Sequence, residues 1–355
     1  MKERIEKLQQ KLENGTAMLV VSEPNLFYLT GMLSSEGKLL ITENGGYFLV
    51  DFRYIEHAKN TVKDCRVLCV KNFNTEIQNL LKQNNIKKLY IETEAVSFAQ
   101  YQNYLKAFEF AEISSDNSLD TALKNLRRIK DNSELAKIKE AQLLTDETFS
   151  YICGRIEAGR TEREIMLDME FNMRKAGAQG VSFDFIVVSG KNSSMPHGVP
   201  SDKRLEKGDF ITMDFGAVVD GYRSDMTRTV ALGNVSAEQK KVYDTVLSAQ
   251  SEALKNITPG KKCSDIDKIA RDIIDNAGYR GAFGHSLGHS VGIEIHESPN
   301  FSPGCETLLE PGMVLTVEPG IYLENKFGVR IEDMIFVTED GCEDITKSTK
   351  ELLVL

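Results

Sequence analysis

The feature that most restricts how this chain can fold is a repeat within residues 159–320. Gly159-Arg-Thr-Glu-Arg-Glu-Ile165 resembles Gly260-Lys-Lys-Cys-Ser-Asp-Ile266, 101 residues further on, and Ala176-Gly177 recurs at the same offset as Ala277-Gly278. Gly208-Asp-Phe-Ile-Thr-Met-Asp-Phe-Gly216 returns after 104 residues as Gly312-Met-Val-Leu-Thr-Val-Glu-Pro-Gly320. A nearly constant offset predicts two helix–helix–strand halves related by pseudo-symmetry. It also puts Asp214 and Glu318 at equivalent positions, so a carboxylate site shared by the halves is expected.

The first 125 residues have a different organisation. Residues 17–21, 39–41, 46–50 and 88–91 are apolar runs of strand type, whereas 52–63, 74–84 and 98–108 carry helical apolar spacing. This predicts a one-sheet α/β domain with a single histidine, His57, on a helix surface. The basic stretch 123–133 is expected to be a connection, and Asp131-Asn132-Ser133-Glu134 a helix start. A long helix should then run from Ser133 to Glu157. Two domains follow, residues 1–125 and 126–355.

Charge narrows the function. A net charge of −10 argues against a nucleic-acid partner. The six cysteines are scattered without a CxxC pair, as expected for reduced packing thiols in the cytoplasm. Residues 1–13 form a charged amphipathic pattern, and no run approaches the roughly 18 apolar residues of a membrane span, so neither export nor membrane insertion is expected.

Three of the five histidines, His285, His289 and His296, fall within twelve residues, interleaved with Gly284, Gly288 and Gly292. Glycines at this density suit the wall of a site better than a helix interior. Carboxylates follow the same logic. A two-residue turn at Asp220-Gly221 would pair Gly216 with Asp225 and leave Asp214 one diagonal step away on the same face. A hairpin centred on Asn325 would set Glu318 opposite Glu332. Acidic groups crowded in this way repel unless a cation lies between them. Hard oxygen ligands with one imidazole suit Mn²⁺ or Co²⁺, with Zn²⁺ less preferred.

In that order, Asp214, Asp225, His289, Glu318 and Glu332 resemble the five-ligand dinuclear centre of the pita-bread metallopeptidases. The surrounding motifs agree: Met213-Asp214-Phe215-Gly216, Gly221-Tyr-Arg-Ser-Asp225, His296-Glu297, Glu318-Pro319-Gly320 and Arg330-Ile-Glu332-Asp333. Within that family the chain is most similar to Xaa-Pro peptidases, aminopeptidase P and prolidase. That similarity rests on His285, on Asn25-Leu-Phe-Tyr-Leu-Thr-Gly31 and Asp51-Phe-Arg-Tyr54, and on the boundary segment Arg128-Ile-Lys-Asp-Asn-Ser-Glu134.

The resemblance implies an α/β (α+β) chain with an N-terminal creatinase-like α/β domain and a C-terminal pita-bread domain. It implies two divalent metal ions, probed first as Mn²⁺. Asp214 would bind one and His289 and Glu318 the other, with Asp225 and Glu332 bridging. A hydroxide between the metals would attack the Xaa-Pro bond. His296 would contact the scissile carbonyl, with His285 lining the site near it. His197 would assist proton transfer at the proline nitrogen, Glu318 would handle the proton of the water, and Arg330 would orient these groups. Proline-containing peptides, either dipeptides or longer chains, and a homodimer are the implied partners. The N-terminal domain would shape the substrate entrance. Two other outcomes stay open: a creatinase-like amidinohydrolase without a metal centre, and a non-catalytic peptide-binding pita-bread module. Both are expected to lack part of the ligand set, which this chain carries complete.

Overall fold

The apolar runs of the N-terminal part pair into one six-stranded sheet. The computed structural model describes residues 1–33 and 36–355, divided into the units Met1–Arg127 and Arg128–Leu355. In spatial order the strands are Arg66–Cys69, Gly45–Val50, Lys38–Thr42, Thr16–Val20, Lys88–Ile91 and Glu112–Ser114. Lys38–Thr42 runs antiparallel to both neighbours and the remaining pairs are parallel. Leu19, Leu40, Leu49 and Leu89 pack with Ile77 and Leu81 of the helix Phe73–Gln83. His57 is exposed on the helix Ile55–Thr61. The basic stretch expected as a connection is instead the end of a helix, Ser118–Arg128. Leu119, Ala122 and Leu123 are buried on one face while Lys124 is exposed, so an amphipathic helix had the composition of a linker.

In the second unit the repeat is visible in the backbone. The helices Asn132–Cys153 and Glu162–Lys175 precede the strand Phe210–Phe215, and Ala237–Asn256 and Cys263–Ile274 precede Val314–Val317. The first of these helices ends at Cys153, four residues short of the expected Glu157, where Gly154 supplies the C-cap. The glycine pairs that marked the repeat, 159/260, 177/278 and 208/312, all lie at positive φ. Antiparallel bridges recur as well, Thr161 with Arg204 and Lys262 with Leu308. Each half has its own apolar core, one around Phe149, Ile165 and Met213, the other around Val246, Ile266 and Leu315.

Both hairpins keep the expected register. Val219 pairs with Tyr222 around Asp220-Gly221, and Thr227 lies opposite Asp214, so Asp225 falls beside Gly216. Leu323 pairs with Phe327 and Val317 with Asp333, which brings Glu318 opposite Glu332. Neither hairpin is a continuous ribbon, however. Phe210–Phe215 and Ala217–Val219 belong to different sheets, as do Val314–Val317 and Gly320–Leu323. The first break is at Gly216, where a Cβ would collide with the Ser224 carbonyl. The second is at Pro319, which has no N–H to give to a ladder. Each break sits beside the carboxylates of its half.

Arg228 ties the halves together behind that point. Only 1% exposed, its guanidinium donates to the carbonyls of Thr227, Glu332, Ser348 and Thr349 and to Asp333 Oδ1 at 2.7 Å. Arg228→Met should therefore destabilise the protein by about 3 kcal/mol, the lower end for breaking a buried ion pair, because Lys350 and Gln250 still reach Asp333. Urea unfolding would measure it, and a loss under about 1 kcal/mol would refute the tie. Among the described residues no helix is long and apolar enough to cross a membrane.

Candidate metal centre

The two broken hairpins aim their carboxylates at one point in the second unit. Asp214 and Asp225 arrive from the first half, Glu318 and Glu332 from the second, and His289 from the short strand Gly288–Ser290. All five line a cavity of about 620 Å³, together with His197, His285, His296 and Arg330. The structure thus brings together every residue singled out from the sequence as a site residue.

Ligand-type atoms of Asp225, His289 and Glu332 lie within 4.8 Å of one another. His289 Nε2 is 3.4 Å from Glu318 Oε1 and 3.6 Å from Asp225 Oδ2. Its Nδ1 lies 3.2 Å from the Ser290 carbonyl, an arrangement in which Nδ1 carries the proton and the Nε2 lone pair faces the carboxylates. Burial, helped by the nearby His296, lowers the His289 pKa to about 4, so the ring is neutral at physiological pH.

The carboxylates are short of partners. Asp214 Oδ1, Asp225 Oδ1 and Glu332 Oε1 are buried without a hydrogen bond. Burial pushes the Asp225 carboxyl well above the usual range, with Glu332, Asp214 and Glu318 adding to the shift. Glu332 is raised in the same way, by burial and then by Glu318 and Asp214. Glu318 is raised by burial to about 8. Arg330 alone supplies positive charge among the described residues of the cavity lining. Three orphaned acceptors, four carboxylates against one guanidinium and a neutral imidazole form a donor set that fits divalent cations.

Arg330 is itself fully engaged. Its Nη2 donates to Asp214 Oδ2 at 2.7 Å, Nη1 to the Tyr322 hydroxyl at 2.8 Å and the Pro196 carbonyl at 3.2 Å, and Nε to Thr227 Oγ1 at 3.0 Å. The Thr227 hydroxyl in turn donates a hydrogen bond to Glu332 Oε2 at 2.7 Å. Tyr322 also meets His285 Nε2 at 2.9 Å. His296 packs edge-on against His289 with ring centroids 4.4 Å apart. His197 is exposed on the segment that follows the turn Gly190–Ser194.

Two contributors escaped the sequence pattern, Tyr322 and Thr227; a third, Thr316, shares the face of Glu318 in that pattern but carries no assignment there. Thr316 lies one strand step before Glu318, and its hydroxyl accepts the His289 N–H at 3.1 Å and reaches Glu318 Oε1 at 3.3 Å. Threonine is too common in strands to stand out. Tyr322 carried no flag beyond its place in a strand. Of the three interleaved glycines, two are close approaches. A Cβ at Gly288 would strike the Thr316 carbonyl, and one at Gly292 would lie 2.7 Å from both Glu297 oxygens. Around Gly284 there is open space.

Comparison with known proteins agrees with this geometry. Residues 4–129 match the creatinase/prolidase N-terminal domain and residues 136–339 match metallopeptidase family M24. The chain is 38% identical to an Xaa-Pro dipeptidase of Pyrococcus furiosus, over 99% of this chain and 100% of that one. Its fold superposes on an Xaa-Pro dipeptidase from Bacillus anthracis with a TM-score of 0.96, at 40% identity and 99% coverage of both chains. An X-Pro aminopeptidase from Thermotoga maritima superposes at 0.92, with 38% identity over 98% of this chain and 100% of that one. A two-half fold that gathers four carboxylates and a histidine, matched by relatives over nearly its whole length, places this chain in metallopeptidase family M24, with a creatinase/prolidase-type N-terminal domain.

Proposed function

We propose that the chain hydrolyses the Xaa-Pro peptide bond, in dipeptides or at the N-terminus of longer peptides, with two divalent cations held by Asp214, Asp225, His289, Glu318 and Glu332. The observation that carries this reading is the set of three buried, unpartnered carboxylate oxygens, on Asp214, Asp225 and Glu332, in a cavity that His289 and three further histidines line. The names of the relatives support the substrate class. Asp225 and Glu332, the most buried of the carboxylates, would be the ligands furthest from solvent. Mn²⁺ fits this oxygen-rich set, and Co²⁺ or Zn²⁺ would be accepted.

Bound cations would supply Lewis acidity toward a carbonyl oxygen and bring the pKa of a water toward neutrality. The protein's residues do the rest. The Glu318 carboxylate, on the cavity wall beside His289, takes the proton that water gives up as it attacks. His296, packed on His289, offers an N–H to the carbonyl oxygen as it gains charge. His285 lines the same side through Tyr322. His197, on the exposed side of the cavity, passes a proton to the prolyl nitrogen, which as a tertiary amide cannot leave unprotonated. Arg330 keeps Asp214 in place by a charge-assisted bond. A homodimer, a cytoplasmic location and an entrance-shaping N-terminal domain complete the proposal. A net charge of −10 favours peptides over nucleic acid.

Assays of Ala-Pro and Ala-Pro-Ala, with Mn²⁺ and after chelation, test it. Cleavage should fall by about 100-fold or more on metal removal, and Ala-Ala-Ala should resist. The ratio of the two Xaa-Pro rates separates dipeptidase from aminopeptidase. Bound metal, confirmed by elemental analysis, without cleavage of either substrate would refute the reading.

A further inference from the structure

The boundary segment Arg128–Glu134 has no part in the chemistry proposed above, yet its lysine reaches toward it. Lys130 is buried, its side chain 1% exposed, and its Nζ lies 3.2 Å from Glu297 Oε2, on a side chain 6% exposed. Both flanks of Lys130 are anchored. Its N–H donates to the Gly312 carbonyl at 2.8 Å, and the next residue, Asp131, caps the helix Asn132–Cys153. Glu134 on that helix accepts the Tyr222 hydroxyl at 2.9 Å.

Glu297 is the hub of a tight turn. Its Oε1 accepts the N–H groups of Ile293 at 3.0 Å and Glu294 at 3.2 Å, and it sits where a Cβ of Gly292 would be. Arg223 holds the same turn from the other side, with Nε on the Ile293 carbonyl at 2.9 Å and its N–H on the Gly292 carbonyl at 2.9 Å. His296 is covalently next to Glu297, and both Ile295 and His296 line the cavity.

We propose that Lys130 is a positioning residue: its buried ammonium, acting through Glu297, fixes the turn 292–297 and so the placement of the His296 ring against His289. The physical ground is the buried ammonium–carboxylate contact itself. Losing Lys130 removes the cation at Glu297 Oε2, loosens the hold of the carboxylate on the Ile293 and Glu294 amides, and shifts its neighbour His296 with it. A displacement of about 1 Å at a reacting group costs on the order of 100-fold in rate. The catalytic consequence rests on the proposed function; the positioning itself does not.

The test joins activity to a readout that needs neither activity nor metal. In the metal-free protein, Lys130→Met should speed hydrogen exchange at the Ile293 and Glu294 amides by about 10-fold or more, with the strand Phe210–Phe215 unchanged. In the metal-loaded enzyme it should lower kcat by about 10–100-fold and change KM by less than about 3-fold. In a His296→Ala background the same substitution should cost less than about 2-fold, because the group it positions is gone. The double variant Lys130→Met/Glu297→Gln removes the carboxylate charge together with its cation and keeps an amide acceptor. It should fold at least as well as the single variant and recover activity to within about 5-fold of the parent. Unchanged exchange at Ile293 and Glu294 overturns the inference, as do equal losses in both backgrounds. An inactive parent enzyme would sink the proposed function, and the exchange experiment would still decide the role of Lys130.

Discussion

Asp225→Asn should abolish peptidase activity and, in the metal-free protein, raise the melting temperature. The opposite signs come from one cause. Burial and the neighbouring carboxylates raise the Asp225 pKa well above its ordinary value, so the folded chain resists ionising it. Glu332 and Glu318 are raised in the same way, the latter to about 8. A carboxyl raised on folding contributes stability that is fully present below its unfolded pKa, near 4, and lost as pH rises through the folded value. Metal-free protein should therefore weaken steadily between about pH 4 and pH 8. Asparagine cannot ionise, so the variant should gain roughly 2–8 °C at pH 8 and show a flatter profile. With Mn²⁺ the order reverses, because the parent enzyme gains binding energy that the variant has lost a ligand for. The loss in kcat/KM should reach about 1,000-fold, some 4 kcal/mol of transition-state stabilisation. Calorimetry of parent and variant at pH 5 and pH 8, with chelator or with Mn²⁺, measures these stabilities. A metal-free variant less stable than its parent at pH 8 would show that these carboxylates are not under strain.

Much of this site was legible because hairpin arithmetic is rigid. Once Asp220-Gly221 and Asn325 are taken as turns, Asp214 with Asp225 and Glu318 with Glu332 follow from the two-residue period of a strand, and the structure has those registers. The three glycine pairs exposed the repeat because each needs the same positive φ in both halves. The breaks at Gly216 and Pro319 were not legible in advance. A glycine or a proline in a strand marks a disturbance without saying that the strand changes sheet. The helix Ser118–Arg128 was hidden by its basic face. Tyr322 and Lys130 were hidden for a different reason. Their partners are distant in sequence, 8 residues away for Arg330 but 37 for His285, and 167 from Lys130 to Glu297. No local pattern marks a polar side chain whose value lies in a long-range contact.

Arg330→Lys should be nearly as damaging as losing a ligand, although it keeps the charge. Burial works against the charge of Arg330, and Tyr322, Asp214 and Glu318 outweigh it, so the guanidinium stays ionised at any working pH. Its use of geometry is what lysine cannot copy. Three nitrogens address Asp214, Tyr322, the Pro196 carbonyl and Thr227 at once, and these lead on to Glu332, to His285 and to the segment carrying His197. An ammonium reaches one or two of them. With Asp214 unheld and Thr227 free to turn, two candidate ligands lose their orientation together. Metal affinity should fall by about 10–100-fold and kcat/KM by about 100-fold or more even at saturating Mn²⁺. Tyr322→Phe removes a single branch of the fork and should cost only about 3–10-fold. Activity and Mn²⁺ titration of the two variants side by side separate charge from shape. Should Arg330→Lys retain a third or more of the parent rate, the positive charge alone would be what the four carboxylates need, and the planar fork would be dispensable.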